Sequence, residues 1–136
     1  MLDHSRIIAI IDDDEVFQLL TKTMLQQKKI ADKILQFLNP VTGLCFFKRN
    51  AEDYYELPSI ILLDLSMPEM TGWQFLAQLE NINFTTGYEP AVFVISGSDK
   101  IDFEEMRKYR FIKGYIAKPV VMSKLISMIE SSEVSH

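Results

Sequence analysis

The sequence predicts an α/β protein: a doubly wound, five-stranded parallel sheet with five helices covering both faces. Three observations carry this. Residues 7–11, 60–63 and 91–95 are short apolar runs with no polar alternation, the pattern of strands buried on both faces. Stretches with apolar residues three and four apart lie between them, as helices require. Finally, the runs end on polar groups rather than fading into neutral turns.

Taken in order, IIAII at 7–11 forms the first strand and delivers Asp12-Asp13-Asp14-Glu15. Val16, Phe17, Leu19, Leu20, Thr23, Met24 and Leu25 follow as the stripe of a first helix, with Asp14 as its N-cap. ILQFL at 34–38 is a second strand, stopped by Asn39-Pro40. Val41, Leu44, Cys45 and Phe47 mark a helix within 41–53, with Cys45 read as a packing residue. IILL at 60–63 is the third strand and runs directly into Asp64. Pro68 fixes φ and Gly72 permits positive φ, so 68–72 reads as a stiff, shaped loop. Thr71-Gly72 opens a helix carrying Trp73, Phe75, Leu76 and Leu79. NINFTTGYEP at 81–90 is the longest irregular connection, and its role is not legible. AVFVI at 91–95 leads to Ser96-Gly97-Ser98. Asp99 or Asp102 caps a helix with Ile101, Phe103, Met106 and Tyr109. GYIA at 114–117 ends at Lys118-Pro119, and Val120, Val121, Leu125, Met128 and Ile129 mark the last helix.

The chain has 136 residues, which suits one domain spanning 1–136 with a core from about 6 to 130. Hydrophobic residues make up 48% and charged residues 24%, enough to fill a core. The net charge of -5 argues against nucleic-acid binding. The N-terminal apolar run is broken at once by acids, so it is no signal peptide, and no run approaches the roughly 20 apolar residues of a membrane helix. One cysteine forms no internal disulfide. The expectation is a cytoplasmic domain with no membrane contact, a frayed polar tail, and no output domain after Glu133. His4 and His136 read as solvated.

Ligands of such sheets bind at the carboxyl ends of the strands, where strand order reverses. Asp12, Asp13, Asp64, Ser96 and Lys118 all stand at strand ends. Clustered carboxylates repel one another, and a hard cation such as Mg²⁺ relieves this. A metal, a lysine and a hydroxyl around one carboxylate are the parts for phosphoryl transfer onto that carboxylate. Asp64 is the nucleophile of this reading, and the stiff loop after it would offer the Ser66 carbonyl to the metal.

At this point the chain resembles the receiver domain of two-component response regulators, especially stand-alone receivers similar to the chemotaxis response regulator. The resemblance rests on IIAIIDDDE, IILLDLSMPEMTGW, VFVISGS and GYIAKPV, in that order. It implies a flavodoxin-like receiver fold. It also implies Asp64 as phosphoacceptor, and Asp12, Asp13, Asp64 and the Ser66 backbone carbonyl as the Mg²⁺ site. Asp13 would be the direct ligand, with Asp12 acting largely through water. Ser96 would contact the phosphoryl group and move on activation, Lys118 would pair with it through a motif ending in a cis bond to Pro119, and Tyr115 would be the aromatic switch. Thr71 departs from the Asp common before the glycine, Gly97 from the frequent Ala, and Ser66 bears on phosphoryl lifetime. The implied partners are a histidine kinase or histidine phosphotransfer protein as donor, and a downstream protein read through the face of residues 99–129. The protein would then be a signalling phosphoacceptor, with at most slow self-catalysed phosphorylation and dephosphorylation.

Taken singly, these residues have plainer roles: Asp12 to Glu15 as a helix-capping run, Asp64 and Ser96 as turn residues, Lys118 as a surface charge, Tyr115 as a half-buried edge aromatic. Two other functions use the same residues. A Mg²⁺-dependent aspartyl-phosphate hydrolase would need a general acid near Asp64, where position 66 is serine. A phosphate-independent interaction module would leave the acidic pair idle.

Overall fold

A computed structural model describes residues 6–84, 87–97 and 102–132. Five strands, β1 (Ile7–Ile11), β2 (Lys33–Phe37), β3 (Ile60–Asp64), β4 (Ala91–Ser96) and β5 (Ile112–Ala117), form one parallel sheet in the order β2-β1-β3-β4-β5. Five α-helices lie between and after them: α1 (Glu15–Gln27), α2 (Pro40–Arg49), α3 (Gly72–Glu80), α4 (Phe103–Met106) and α5 (Met122–Ser132). A short 3₁₀ turn, Tyr54–Glu56, precedes β3.

The two faces explain why the central strands do not alternate in polarity. Successive side chains point to opposite sides. Ile8, Ile10, Ile60 and Leu62 pack with Phe17, Leu25, Leu125 and Ile129 from α1 and α5. Ala9, Ile11, Ile61 and Leu63 pack with Leu44, Phe47, Phe75 and Leu79 from α2 and α3. Every residue of β1 and β3 is buried, Asp64 included. The edge strands β2 and β5 are only partly buried, so their sequence signal is weaker.

Several expectations need correction. The stripe of α1 is not Val16, Leu19 and Leu20, which are 66%, 64% and 56% exposed. The buried face is Phe17, Gln18, Thr21 and Leu25. A buried glutamine and threonine shift the true stripe by one position, which apolar spacing does not register. On α2 the buried face is Pro40, Gly43, Leu44 and Phe47, leaving Val41 and Cys45 exposed. The predicted packing role of Cys45 therefore fails. β2 begins and ends one residue earlier than expected, and Leu38 lies exposed beyond it. α4 is a single turn, capped by Asp102 through the Glu105 N–H at 3.0 Å. Ser98, Asp99, Ile101, His4, His136 and the end of the tail lie outside the described residues.

The 81–90 connection has a structural role through Tyr88. Its ring is buried, edge-on to Phe84 with centroids 4.8 Å apart, and its hydroxyl donates to the Pro58 carbonyl just before β3. Residues 85 and 86 of this loop lie outside the described residues.

Candidate functional site

The strand order reverses between β1 and β3, and their carboxyl ends hold Asp12, Asp13 and Asp64. One ligand atom from each lies within 4.8 Å of the others. Asp12 and Asp64 are buried and Asp13 is exposed. The capping role falls to Asp14, whose Oδ1 accepts from the Val16 and Phe17 N–H groups at 2.9 and 3.1 Å. The Asp12 and Asp13 carboxylates are thus not needed to cap α1.

Asp12 Oδ1 accepts from the Asp14 N–H at 2.8 Å. Its Oδ2 is buried without a hydrogen-bond partner and lies 3.6 Å from Lys118 Nζ. Asp64 Oδ1 accepts from the Ser66 N–H at 3.0 Å, and its Oδ2 lies 3.5 Å from the same Lys118 Nζ. Lys118 is held by its own N–H, which donates to the Ser96 carbonyl at 2.8 Å, and by the face of Phe17, 5.9 Å from Nζ. The Lys118–Pro119 peptide is cis.

Electrostatics follow from burial. Burial pushes the Asp12 carboxyl up from 3.8 to about 6, with Asp64 adding to the rise and the Asp14 N–H and Lys118 opposing it. Burial likewise raises Asp64 against the Ser66 N–H and Lys118. Burial alone would lower the Lys118 ammonium, but the Asp12 and Asp64 carboxylates outweigh it and raise it. One lysine is thus not enough charge for this cluster. Three carboxylates brought this close, one of them carrying a buried oxygen with no hydrogen-bond partner, fit a hard divalent cation.

The loop after β3 is held at several points. Leu65 and Met67 are buried, the Gly72 N–H donates to the Leu65 carbonyl at 3.0 Å, and Asn39 donates to Glu69. Thr71 makes a reciprocal cap with Gln74, at 3.1 and 2.9 Å. Gly72 is not needed for a positive φ, which among described glycines occurs at Gly87. The reason is close approach: a Cβ at 72 would stand 2.7 Å from Leu65 Cδ2, 2.8 Å from the Asp64 carbonyl and 2.9 Å from Leu65 Cα. The helix start is pressed against the backbone that carries Asp64.

Ser96 ends β4 and is buried; Ser66 is exposed beside Asp64. Tyr115 stands apart from the acidic cluster. It lies opposite Val94 in the sheet, 42% exposed, edge-on to Phe103 with centroids 5.6 Å apart. Sequence reasoning missed Gln18, which is buried below the acidic pair and hydrogen-bonded to three backbone carbonyls. Its only signal was its position beside Phe17, one turn before Thr21 and two before Leu25.

A family model described as the response regulator receiver domain matches residues 8–130. No curated protein matches. Among solved structures, a two-component response regulator from Cytophaga hutchinsonii is 18% identical with a TM-score of 0.77, covering 98% of this chain and 100% of its own. A CheY-like response regulator receiver domain protein from Methanospirillum hungatei JF-1 is 21% identical, TM-score 0.74, over 95% of this chain and 94% of its own. The receiver domain of the histidine kinase CKI1 from Arabidopsis thaliana, solved in complex with Mg²⁺ and BeF₃⁻, is 18% identical, TM-score 0.73, over 93% and 90%.

Proposed function

This chain belongs to the response regulator receiver domain family of two-component systems, and from that premise we propose that it is a phosphorylatable switch whose phosphoacceptor is Asp64. The observation that carries this is the buried Asp64 carboxylate, 3.5 Å from Lys118 and grouped with Asp12 and Asp13 at the reversal of strand order. The phosphoryl donor is a partner phosphohistidine on a histidine kinase or phosphotransfer protein.

Asp13, Asp64 and the Ser66 carbonyl, with Asp12 largely through water, would hold a Mg²⁺, which would offset the negative charge of the phosphoryl oxygens. Asp64 attacks phosphorus as the phosphorus–nitrogen bond of the donor breaks, and the imidazole leaves to be protonated from solvent. Lys118, already aimed at Asp64, attracts the added charge, and Ser96 at the end of β4 supplies a hydroxyl. The Asp64 side chain thereby passes from a singly charged carboxylate to an acyl phosphate of about two charges at neutral pH. Movement of Ser96 toward it opens space for Tyr115, which leaves Phe103 and alters the face of residues 99–129. A downstream protein reads that face.

The donor must bring its histidine over Asp64, so it docks on the surrounding rim. The exposed Val16, Leu19 and Leu20 on α1, and Val121 beyond the lysine, supply apolar contacts there. The domain acts as one unit over residues 6–130. Among the described residues no helix is long and apolar enough to cross a membrane.

The test is incubation with Mg²⁺ and acetyl phosphate, followed by intact mass. One phosphate adduct is expected, lost with EDTA and lost in Asp64→Asn, whose circular dichroism stays native. Absence of any adduct in the unaltered protein, or full labelling of Asp64→Asn, overturns the assignment.

A further inference from the structure

Gln18 is a polar side chain on the inner face of α1, only 4% exposed. Its Nε2 donates to the carbonyls of Ile10 and Asp12, both at 3.0 Å, and of Phe37 at 3.1 Å. A primary amide has two N–H groups, so at least one of them is shared between two carbonyls. The orientation of this amide is decided by its surroundings. Its nitrogen faces acceptors only, while its Oε1 accepts from Gln36 Nε2 at 3.0 Å. Gln36 Nε2 also reaches the Gln18 backbone carbonyl at 3.0 Å.

The consequence falls on Asp12. Its carbonyl is held by Gln18, and its N–H donates to the Phe37 carbonyl at 3.1 Å. That same Phe37 carbonyl is the third acceptor of Gln18. The peptide joining Asp12 to Asp13 therefore has its oxygen fixed from below by a side chain on α1. Without Gln18, three carbonyls at the ends of β1 and β2 would lose a donor in a place screened from water.

We propose that Gln18, oriented by Gln36, is a positioning residue: by holding the Asp12 carbonyl it sets how Asp12 and Asp13 present their carboxylates to a divalent cation. This rests on the metal site of the phosphoacceptor reading. A residue that only staples helix to sheet would lower stability without changing metal affinity in the folded protein.

The experiment titrates Mn²⁺ into the full chain and reads free Mn²⁺ by electron paramagnetic resonance, well below the unfolding temperature of each variant. Asp13→Asn serves as the ligand-loss control and Ile129→Val, a buried core residue of α5, as the stability control. Gln18→Met keeps length and removes the donors. It is expected to weaken Mn²⁺ binding about tenfold, equivalent to about 1.4 kcal/mol, with Gln36→Met intermediate and Ile129→Val unchanged. Folded Gln18→Met with the affinity of the unaltered protein overturns the proposal, as does an equal loss in Ile129→Val. Should Gln18→Met not fold, Gln36→Met decides, and unchanged affinity there overturns it. Failure of the unaltered protein to bind Mn²⁺ removes the metal site itself, and with it both readings.

Discussion

Replacing Asp12 by asparagine should make the metal-free protein more stable at neutral pH. Asp12 is fully buried, and its carboxyl titrates at about 6 in the fold against 3.8 for an unperturbed group. Above both values the folded protein carries the whole penalty of keeping that charge, roughly 3 kcal/mol at 1.36 kcal/mol per pH unit. Asparagine has nearly the same shape and keeps an oxygen for the Asp14 N–H. It also removes a favourable partner from Lys118, 3.6 Å away and 30% exposed. The rise to about 6 is already net of that pull, so about 3 kcal/mol is the ceiling, and the expected gain is about 1–3 kcal/mol once imperfect packing of the amide is allowed for. The sign with pH follows from a raised acid. As pH falls through about 6 toward 3.8, the folded protein takes up its proton before the unfolded chain does, so it gains stability relative to the variant. The advantage of Asp12→Asn should thus be full above pH 6, shrink between 6 and 4, and vanish below. Urea unfolding in EDTA at pH 7.5 and 4.5 measures it. A variant no more stable than the parent at pH 7.5, or an advantage independent of pH, refutes the electrostatic account of this site. Saturating Mg²⁺ should narrow the gap, because binding to the folded parent stabilises it by mass action.

Lys118→Met should act with the opposite sign. It removes the cation 3.5 Å from Asp64 and 3.6 Å from Asp12, and about 1–2 kcal/mol of stability should be lost at pH 7.5 in EDTA. Equal stability in the same urea titration would show that the lysine does not neutralise the cluster. Gly72→Ala should destabilise by about 1–3 kcal/mol through overpacking, because its Cβ would meet Asp64 and Leu65 backbone atoms that cannot swing aside. Acetyl phosphate labelling should slow in the folded fraction as Asp64 shifts; unchanged stability and rate would refute the contact. Tyr88→Phe leaves the Pro58 carbonyl without its buried donor and should cost about 1–2 kcal/mol. An unchanged unfolding midpoint would show that the hydroxyl does not hold the loop.

The central strands and their acidic ends were readable because parallel strands covered on both faces must be apolar throughout, leaving Asp12, Asp13 and Asp64 as abrupt interruptions. Asp14 was readable as a cap because an N-cap interaction spans only two or three residues. The stripe of α1 was not. Gln18 and Thr21 occupy buried positions that composition assigns to water, and only the carbonyls of Ile10, Asp12 and Phe37 make the glutamine at home there. Cys45 and Leu38 looked apolar enough for a core, but no layer covers them. Gly72 was visible as a glycine, yet its reason lies in contact with Asp64 and Leu65 at a strand end, eight and seven residues earlier. Local periodicity and short-range caps are written along the chain, since neighbours in sequence produce them. Which polar side chain is buried, which apolar one is exposed and how the acids are charged depend on atoms from separate strands and helices, and folding alone brings those together.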